Sequence, residues 1–323
     1  MLTNFPNGIS SCGQPIYGGM QDPTVGNIYY VIQNDQSFYG TFERDRRTKY
    51  SDGSTNIHNT IQSALDACVA DRNDYVVITP DSTTYSDSAG LTMTKACVHL
   101  ICPSGICAGG MATNAARVIS TYAGDWLTIS ADKIEIAGLF VRPTVDQDGI
   151  ILSGDRAGIY IHDNSIGGTV TASGTGNTRM IGDSATLTFS NYINNWIMPG
   201  YNPPTGATTC AAGIQISGSG GGKNVVRGNM IITGGNPGTI TVTAGVSMAG
   251  HSNMLIDNMF AEVITYGIFT NAWNVDTRTI IMGNKVAMSS PATAGGTADK
   301  TNVQNFSSTI AAIGEVNATV EAD

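Results

Sequence analysis

The chain has 323 residues, of which 41% are hydrophobic and only 13% are charged, and its net charge is −9 with a pI near 4.8. An acidic chain without a concentrated basic surface is poorly suited to nucleic acid, so we expect no nucleic-acid partner. With 39 glycines and few charges, the composition favours many short strands and turns, and therefore an all-β fold.

The chain opens with MLTNFPNGISSCG, which lacks the basic start and apolar centre of a secretory signal. No apolar run approaches the length of a membrane span, so we expect no membrane insertion. Synthesis in a reducing host cytoplasm is therefore predicted, with the six cysteines kept as thiols. Residues 1–50 are rich in Tyr and Phe, and such an apolar arm is expected to attach to the rest of the chain, to a sister subunit or to a larger particle.

A short helix is predicted within 59–68, because Ile61, Leu65 and Cys68 fall on one helical face. A strand ending in a Pro turn follows at 74–81, and a strand followed by a Gly turn is predicted at 98–105. Solenoids need their open apolar end covered, and the helix is predicted to cover it.

Two short sequence motifs, here called words, then recur along the chain. The first is G-[IV]-x-apolar: GIIL at 149–152, GIQI at 213–216, GVSM at 245–248 and GIFT at 267–270. The second has Asn in fourth place: IHDNSI at 161–166, TFSNYI at 188–193, VRGNMI at 226–231, LIDNMF at 255–260 and IMGNKV at 281–286. Its asparagines, which are separated by 27, 38, 29 and 26 residues, are Asn164, Asn191, Asn229, Asn258 and Asn284.

A period of this length with short strands predicts a β-solenoid over residues 51–290, whose stacked coils bury a shared core. Asn and Gly tolerate left-handed backbone, so the repeated Asn is predicted at a tight corner, where stacked side chains bond as a ladder. The Pro- and Gly-containing segment 196–206 is predicted to be an inserted loop. Residues 291–323 are predicted to be a linker followed by a carboxyl-terminal cap or tail.

The helix and strand at 59–81, with the strand and turn at 98–105, resemble the amino-terminal cap of right-handed parallel β-helix proteins, the pectin-lyase-like superfamily. The resemblance covers about residues 55–290 and implies a single-stranded right-handed parallel β-helix with a short amino-terminal capping helix. The opening residues 4–15 also resemble the start of β-helical proteins of tailed bacteriophages, which implies a virion protein.

The superfamily's hydrolases resemble one another in an Asn-Thr-Asp word, a double Asp word and a Gly-His-Gly word, and all three are missing from this sequence. Its lyases use a basic residue on a strand beside calcium-binding acids, for which Arg227 is the best candidate. The predicted neighbours of Arg227 in the repeat, Phe189 and Ile256, provide no acid. Asp163 and Asp257 share a repeat position, but three coils separate them by roughly 14 Å, too far for a glycosidase pair.

The densest predicted ionisable cluster contains Asp146, Asp148, His162 and Asp163. It is the candidate site for glycan cleavage, and the alternative is that Asp146 and Asp148 form a polar turn that opens the GIIL strand. Trp196, Tyr201 and Trp273 could stack on sugars or contact another subunit. The four histidines show no close metal spacing, so we expect no metal and no cofactor.

Three functions remain open at this point. The leading prediction is a bacteriophage virion structural protein, a capsid decoration or tail appendage that forms a homotrimer and contacts other capsid or tail proteins. The second is a glycan depolymerase of the tailspike type, either hydrolase or lyase, acting at the predicted cluster. The third is a non-catalytic appendage that binds a host surface glycan through Trp196 and Tyr201.

Overall fold

A computed structural model describes residues 9–11, 14–16, 26–33, 56–80, 84–103, 106–108, 111–113, 116–120, 122, 124–143, 148–167, 178–183, 186–199, 208–218, 220–232, 240–261, 264–270, 279–287, 293–294, 300–303, 305–309 and 312–316. Within these ranges the chain is a stack of coils, and successive coils add parallel strands to three long sheets. This is the predicted right-handed parallel β-helix. No helix in these ranges is both long and apolar enough to cross a bilayer.

The three sheets take their strands from successive coils. In the described chain, sheet 1 consists of Leu91–Met93, Leu127–Ile129, Ile150–Leu152, Thr178–Asp183, Thr208–Ile216, Ile240–Met248, Ile264–Thr270 and Thr293–Ala294. Sheet 2 consists of Ile28–Val31, Ile57–His58, Asp74–Ile78, Val98–Ile101, Glu135–Ala137, Tyr160–His162, Asn191–Ile193, Val225–Arg227, Met254–Ile256, Thr279–Met282 and Lys300–Val303. Sheet 3 consists of Tyr85–Asp87, Ala116–Ser120, Leu139–Pro143, Ser165–Gly167, Trp196–Met198, Met230–Ile232, Met259–Ala261, Lys285–Ala287, Asn305–Thr309 and the antiparallel Ala312–Val316.

Smaller pairs lie beside these sheets. Two are antiparallel, Ile9–Ser11 with Gln14–Ile16 and Ile106–Ala108 with Met111–Thr113, and one is parallel, Arg156–Ala157 with Leu187–Thr188. Sheet 2 begins with Ile28–Val31, inside the segment predicted as an arm, and sheets 2 and 3 continue beyond residue 300.

The core is built from columns of inward side chains, because alternate residues of a strand point to opposite faces. The inward column of sheet 2 shows how regular the stack is, since no member is more than 4% exposed: Tyr29, Val76, Leu100, Ile136, Ile161, Tyr192, Val226, Leu255 and Ile281. Burial of such columns in successive coils supplies the hydrophobic stabilisation that one coil lacks.

The predicted helix, here called α1, spans Ile61–Ala67. Thr60 caps it, because its side-chain oxygen accepts a hydrogen bond from the amide of Ser63. Ile61 and Leu65 are buried, and α1 packs on Ile28–Val31 and on Leu91–Met93, so it covers the first coils.

Asparagine side chains form a continuous hydrogen-bonded ladder at the corner between sheets 2 and 3. Its members are Asn164, Asn195, Asn229, Asn258 and Asn284. The backbone amide of each of the first four donates a hydrogen bond to the side-chain oxygen of the next member at 2.9–3.2 Å. Asn191 is not the ladder residue of its coil. It lies on a strand of sheet 2 opposite Tyr160 and Val225, and the corner residue of that coil is Asn195.

Because of this offset of four residues, the first part of the segment 196–206, which was predicted as a loop, is a strand. Trp196–Met198 is a strand of sheet 3, because it directly follows the ladder residue Asn195. The rest of that segment that the structure describes is Pro199 alone. The four GIIL-type words are strands of sheet 1, and the segment Met180–Asp183 takes the same place in the coil between the first two of them.

The left-handed backbone at this corner belongs to the residue before the ladder asparagine. In five coils its φ is between 52° and 69°, at Asp163, Asn194, Gly228, Asp257 and Gly283, and Gly138, which precedes Leu139, has a φ of 71° at the same corner. The chain therefore reverses at this preceding residue, which leaves the asparagine buried and free to bond along the stack.

Candidate functional site

A group of ionisable side chains on the outer face of sheet 2 joins three coils. The Oε2 atom of Glu135 lies 2.5 Å from Nδ1 of His99, and its Oε1 atom lies 2.8 Å from Nε2 of His162. Nδ1 of His162 lies 2.7 Å from Oδ2 of Asp163, at the corner that follows. We call His99, Glu135, His162 and Asp163 the outer-face network.

Tyrosine rings flank this network on the same face. Tyr75 stacks on His99 with ring centroids 4.2 Å apart, and Tyr160 stacks on His162 at 3.9 Å. The register places Tyr75, His99, Glu135 and Tyr160 opposite one another on neighbouring strands. The first coils thus present a polar and aromatic outer surface.

Hydrogen bonding fixes the charges of this network. Burial raises the pKa of Glu135, but hydrogen bonds and charges from His162 and His99 outweigh that effect and lower it to about 2. Burial lowers the pKa of His162, but the bonds to Glu135 and Asp163 outweigh it, so that pKa is raised above its usual value. Because both nitrogens of His162 face carboxylates, its imidazolium form is the one that satisfies both contacts.

These charges limit the chemistry that the network can perform. A general acid or base works best when its pKa lies near the operating pH, and Glu135 is far from that condition. His162, bonded on both nitrogens, has no free lone pair to take a proton from a substrate. The network is therefore suited to holding three coils together and to presenting fixed charge.

We expect replacement of Glu135 by Gln to cost most stability at moderately acidic pH, on the order of 2 kcal/mol. The pKa of Glu135 is about 2 when folded and 4.5 in the reference state, so its contribution is present above 4.5 and disappears as the pH falls towards 2. The raised pKa of His162 makes its contribution complete below 6.5 and lost as the pH rises through the folded value. Urea unfolding of both proteins at about pH 3, 5.5 and 9 measures the difference, and a constant difference would contradict the expectation.

Asp148 belongs to a second group, which lies at sheet 1. It is buried, and its Oδ2 atom lies 2.5 Å from Nη2 of Arg179, while Oδ1 accepts from the Arg179 amide at 2.7 Å. Its own amide donates to Oδ1 of Asp125 at 3.1 Å. Burial, and next the charge of Asp148, raises the pKa of Asp125. We call Asp125, Asp148 and Arg179 the sheet 1 cluster.

Asp183, the last residue of the strand Thr178–Asp183, forms hydrogen bonds to the next coil. Asp183 is fully buried beside Leu152, and its carboxylate accepts from the amide of Ser217 at 2.7 and 2.9 Å and from the Ser217 hydroxyl. Burial raises the pKa of Asp183 to about 6, although the bonds from Ser217 oppose that shift. Asp183 is thus a structural link between two coils.

The structure therefore divides the predicted cluster between two sheets. His162 and Asp163 contact each other, whereas Asp148 faces Arg179 and Asp125. The reason is the coil path, because Asp148 precedes a strand of sheet 1 and His162 ends a strand of sheet 2. Asp146, Tyr201 and Trp273 lie outside the described residues.

Other predicted residues have clear positions. Arg227 is exposed and lies opposite Ile193 and Ile256, so the predicted neighbour Phe189 is replaced by Ile193 and still no acid is adjacent. Trp196 is partly buried on a strand rather than on a loop. Among the described residues, no group of three or more His, Cys, Asp or Glu side chains forms a candidate metal site.

Several residues that hold coils together were not predicted from the sequence. A second ladder, at the start of the sheet 2 strands, runs through Ser190, Asn224, Asn253 and Thr279. Its members lie five residues before those of the first ladder, and this constant spacing could have revealed them. His99, Glu135 and Arg179 carried no such local signal, because their partners lie 26 to 36 residues away.

No family model matches this sequence, and no curated protein matches it. Among solved structures, an alginate lyase from Paenibacillus sp. is 14% identical, with 76% of this chain and 92% of that chain covered and a TM-score of 0.40. A pectin methylesterase mutant in complex with a hexasaccharide is 12% identical, with 80% and 79% covered and a TM-score of 0.42. The ORF18 protein of Geobacillus virus E2 is 12% identical, with 76% and 56% covered and a TM-score of 0.39.

At such identities a likeness concerns the fold, and function must be argued from the residues. Three parallel sheets, the inward apolar columns, the asparagine ladder and the helix over the first coils are all present in this chain. Together these features make the chain a right-handed parallel β-helix, the fold predicted from the sequence.

Proposed function

We propose that the protein is a structural component of a bacteriophage virion, either a decoration of the head or part of a tail appendage, assembled from three copies. The observation that carries the proposal is the outer surface of the last coils, where sheet 2 presents Val225, Met254, Ile256, Ile280 and Met282. Apolar residues at the surface in contiguous columns mark sites of protein contact.

The pairing of ionisable side chains among the described residues supports the same proposal. In the outer-face network, Glu135 and His162 neutralise each other, and in the sheet 1 cluster Asp148 is held by Arg179. Side chains committed to one another stabilise the stack and are not available to a substrate. The resemblance of residues 4–15 to phage β-helical proteins adds a second, independent support.

Immunogold electron microscopy of intact particles of the virus carrying this gene tests the proposal directly. Label spread over the heads supports a decoration protein, and label confined to the tail supports an appendage. Particles without label, from a lysate in which the protein is detected by the same antibody, would overturn the proposal.

A glycan depolymerase is the second candidate, and one observation favours it. Asp125 and Asp148 are neighbouring carboxylates in different environments, since the pKa of Asp125 is raised while Asp148 is paired with Arg179. Such divergence is what separates an acid from its partner carboxylate in glycosidases. Cleavage of host surface glycan that is lost in Asp125→Asn but kept in Asp132→Asn would establish this activity, and intact glycan after long incubation would exclude it.

A further inference from the structure

The outer face of sheet 2 changes character along the stack. In the first coils its columns contain Tyr75, His99, Glu135 and Tyr160. From the strand Asn191–Ile193 onward, the two outward columns continue as Asn191, Val225, Met254, Ile280 and as Ile193, Arg227, Ile256, Met282. Six of these eight side chains are apolar, and Ile280 and Met282 are each 37% exposed.

This apolar surface continues around the corner onto sheet 3. The outward column there runs from Trp196 through Met230 to Met259, and Met259 is 36% exposed. Only two residues form the corner in each coil, for example Gly228 and Asn229. The apolar columns of sheets 2 and 3 therefore flank one narrow corner, which we call the apolar corner.

Opposite charges accompany the apolar corner. Arg227 is exposed at the end of its strand, directly before the corner, and Asp257 is exposed at the corner of the next coil. Within the part of the chain that the structure describes, neither side chain forms a salt bridge. An unpaired cation and an unpaired anion at the rim of an apolar surface are complementary to a second copy of the same surface.

We propose that three copies of this chain meet at the apolar corner, with the outer face of sheet 2 of one copy packed on sheet 3 of the next. A head-to-tail contact of two different faces closes into a ring when rotation brings the third copy back to the first. Arg227 of one copy then pairs with Asp257 of its neighbour. The inference rests on the trimer contained in the proposed function and names the surface that forms it.

Sedimentation velocity of the purified full chain over a dilution series provides the first test. We expect a single species of three times the 33.7 kDa chain mass. Ile256→Glu places a charge among the apolar columns and is expected to yield monomer, whereas Thr128→Glu, on the outer face of sheet 1, leaves the trimer intact. Circular dichroism of each variant verifies folding, because both side chains point outward.

The charge pair gives a second test that does not depend on apolar burial. Arg227→Glu should weaken association at least about tenfold, and adding Asp257→Lys should restore most of the loss. Lysine suits that position, since Lys133 and Lys223 adopt the same left-handed backbone. A monomeric or dimeric wild type, or a trimer that tolerates Ile256→Glu, would overturn the proposal.

The outcomes separate this proposal from the function on which it rests. If the purified protein is a monomer but the particles are labelled, the proposed contact at the apolar corner is wrong and the virion role stands. If the protein is a trimer that Ile256→Glu dissociates, but the particles carry no label, the contact at the apolar corner stands and the virion role is wrong.

Discussion

Replacing Asn229 with Ala is expected to lower the free energy of unfolding by about 3 kcal/mol. Its side-chain oxygen accepts from the amide and the side chain of Asn195 at 2.9 and 3.0 Å. Its side-chain nitrogen donates to the carbonyl of Tyr192 and to the side chain of Asn258. Alanine would leave the buried backbone amide of Asn195 without its acceptor and would remove one hydrogen bond each from the Asn195 side chain, the Tyr192 carbonyl and the Asn258 side chain. Unpaired buried polar groups are costly.

Asn191→Ala is the matched control, since it makes the same chemical change in the preceding coil. Asn191 is partly exposed on the outer face of sheet 2 and lies outside the ladder, so its loss should change stability by less than about 0.5 kcal/mol. Chemical denaturation followed by circular dichroism measures both variants. Equal losses would show that the ladder contributes nothing beyond an ordinary surface asparagine.

Replacing Arg179 with Met is expected to cost about 3–5 kcal/mol, because Asp148 would then be a buried charge without its partner. Arg179 donates to Asp148 from Nε at 3.1 Å and from Nη2 at 2.5 Å, and from Nη1 to the carbonyl of Asp183 at 3.0 Å. Asp148 has a side chain only 6% exposed. The loss of stability caused by Arg179→Met should be smaller in a protein that also carries Asp148→Asn, because that change removes the unpaired charge.

Arg156→Met provides the comparison for this prediction. Nη1 of Arg156 lies 3.9 Å from Oδ1 of Asp132, whose side chain is 48% exposed, and such surface pairs are worth less than about 1 kcal/mol. Unfolding in urea should therefore rank Arg179→Met far below Arg156→Met in stability. Similar midpoints for the two variants would mean that Asp148 is hydrated in the folded protein.

The solenoid was predictable because its signals are local and periodic. Alternating apolar residues, the GIIL-type words and an asparagine every 26 to 34 residues each report on one coil, and coils of similar build must stack to bury their inward faces. The helix Ile61–Ala67 was equally predictable from its apolar face. Such features need no knowledge of which coil lies next to which.

The register of one coil shows where local pattern was insufficient. TFSNYI and YINNWI overlap, and both place Asn in fourth position before an apolar residue. The structure selects the second word, because Tyr192 must face inward between Ile161 and Val226, which puts Asn195 at the corner. A shift of four residues preserves strand alternation, so the choice depends on stacking against both neighbouring coils.

An acidic all-β solenoid with a capping helix and asparagine corners could be predicted without coordinates, since these features follow from composition and period. Which ionisable side chains contact one another became clear only when the coils were stacked. The tertiary structure placed Glu135 between His99 and His162, and it paired Asp148 with Arg179, 31 residues away. The physical reason is that coils differ in length, so stacking, and not sequence spacing, sets which outward side chains become neighbours.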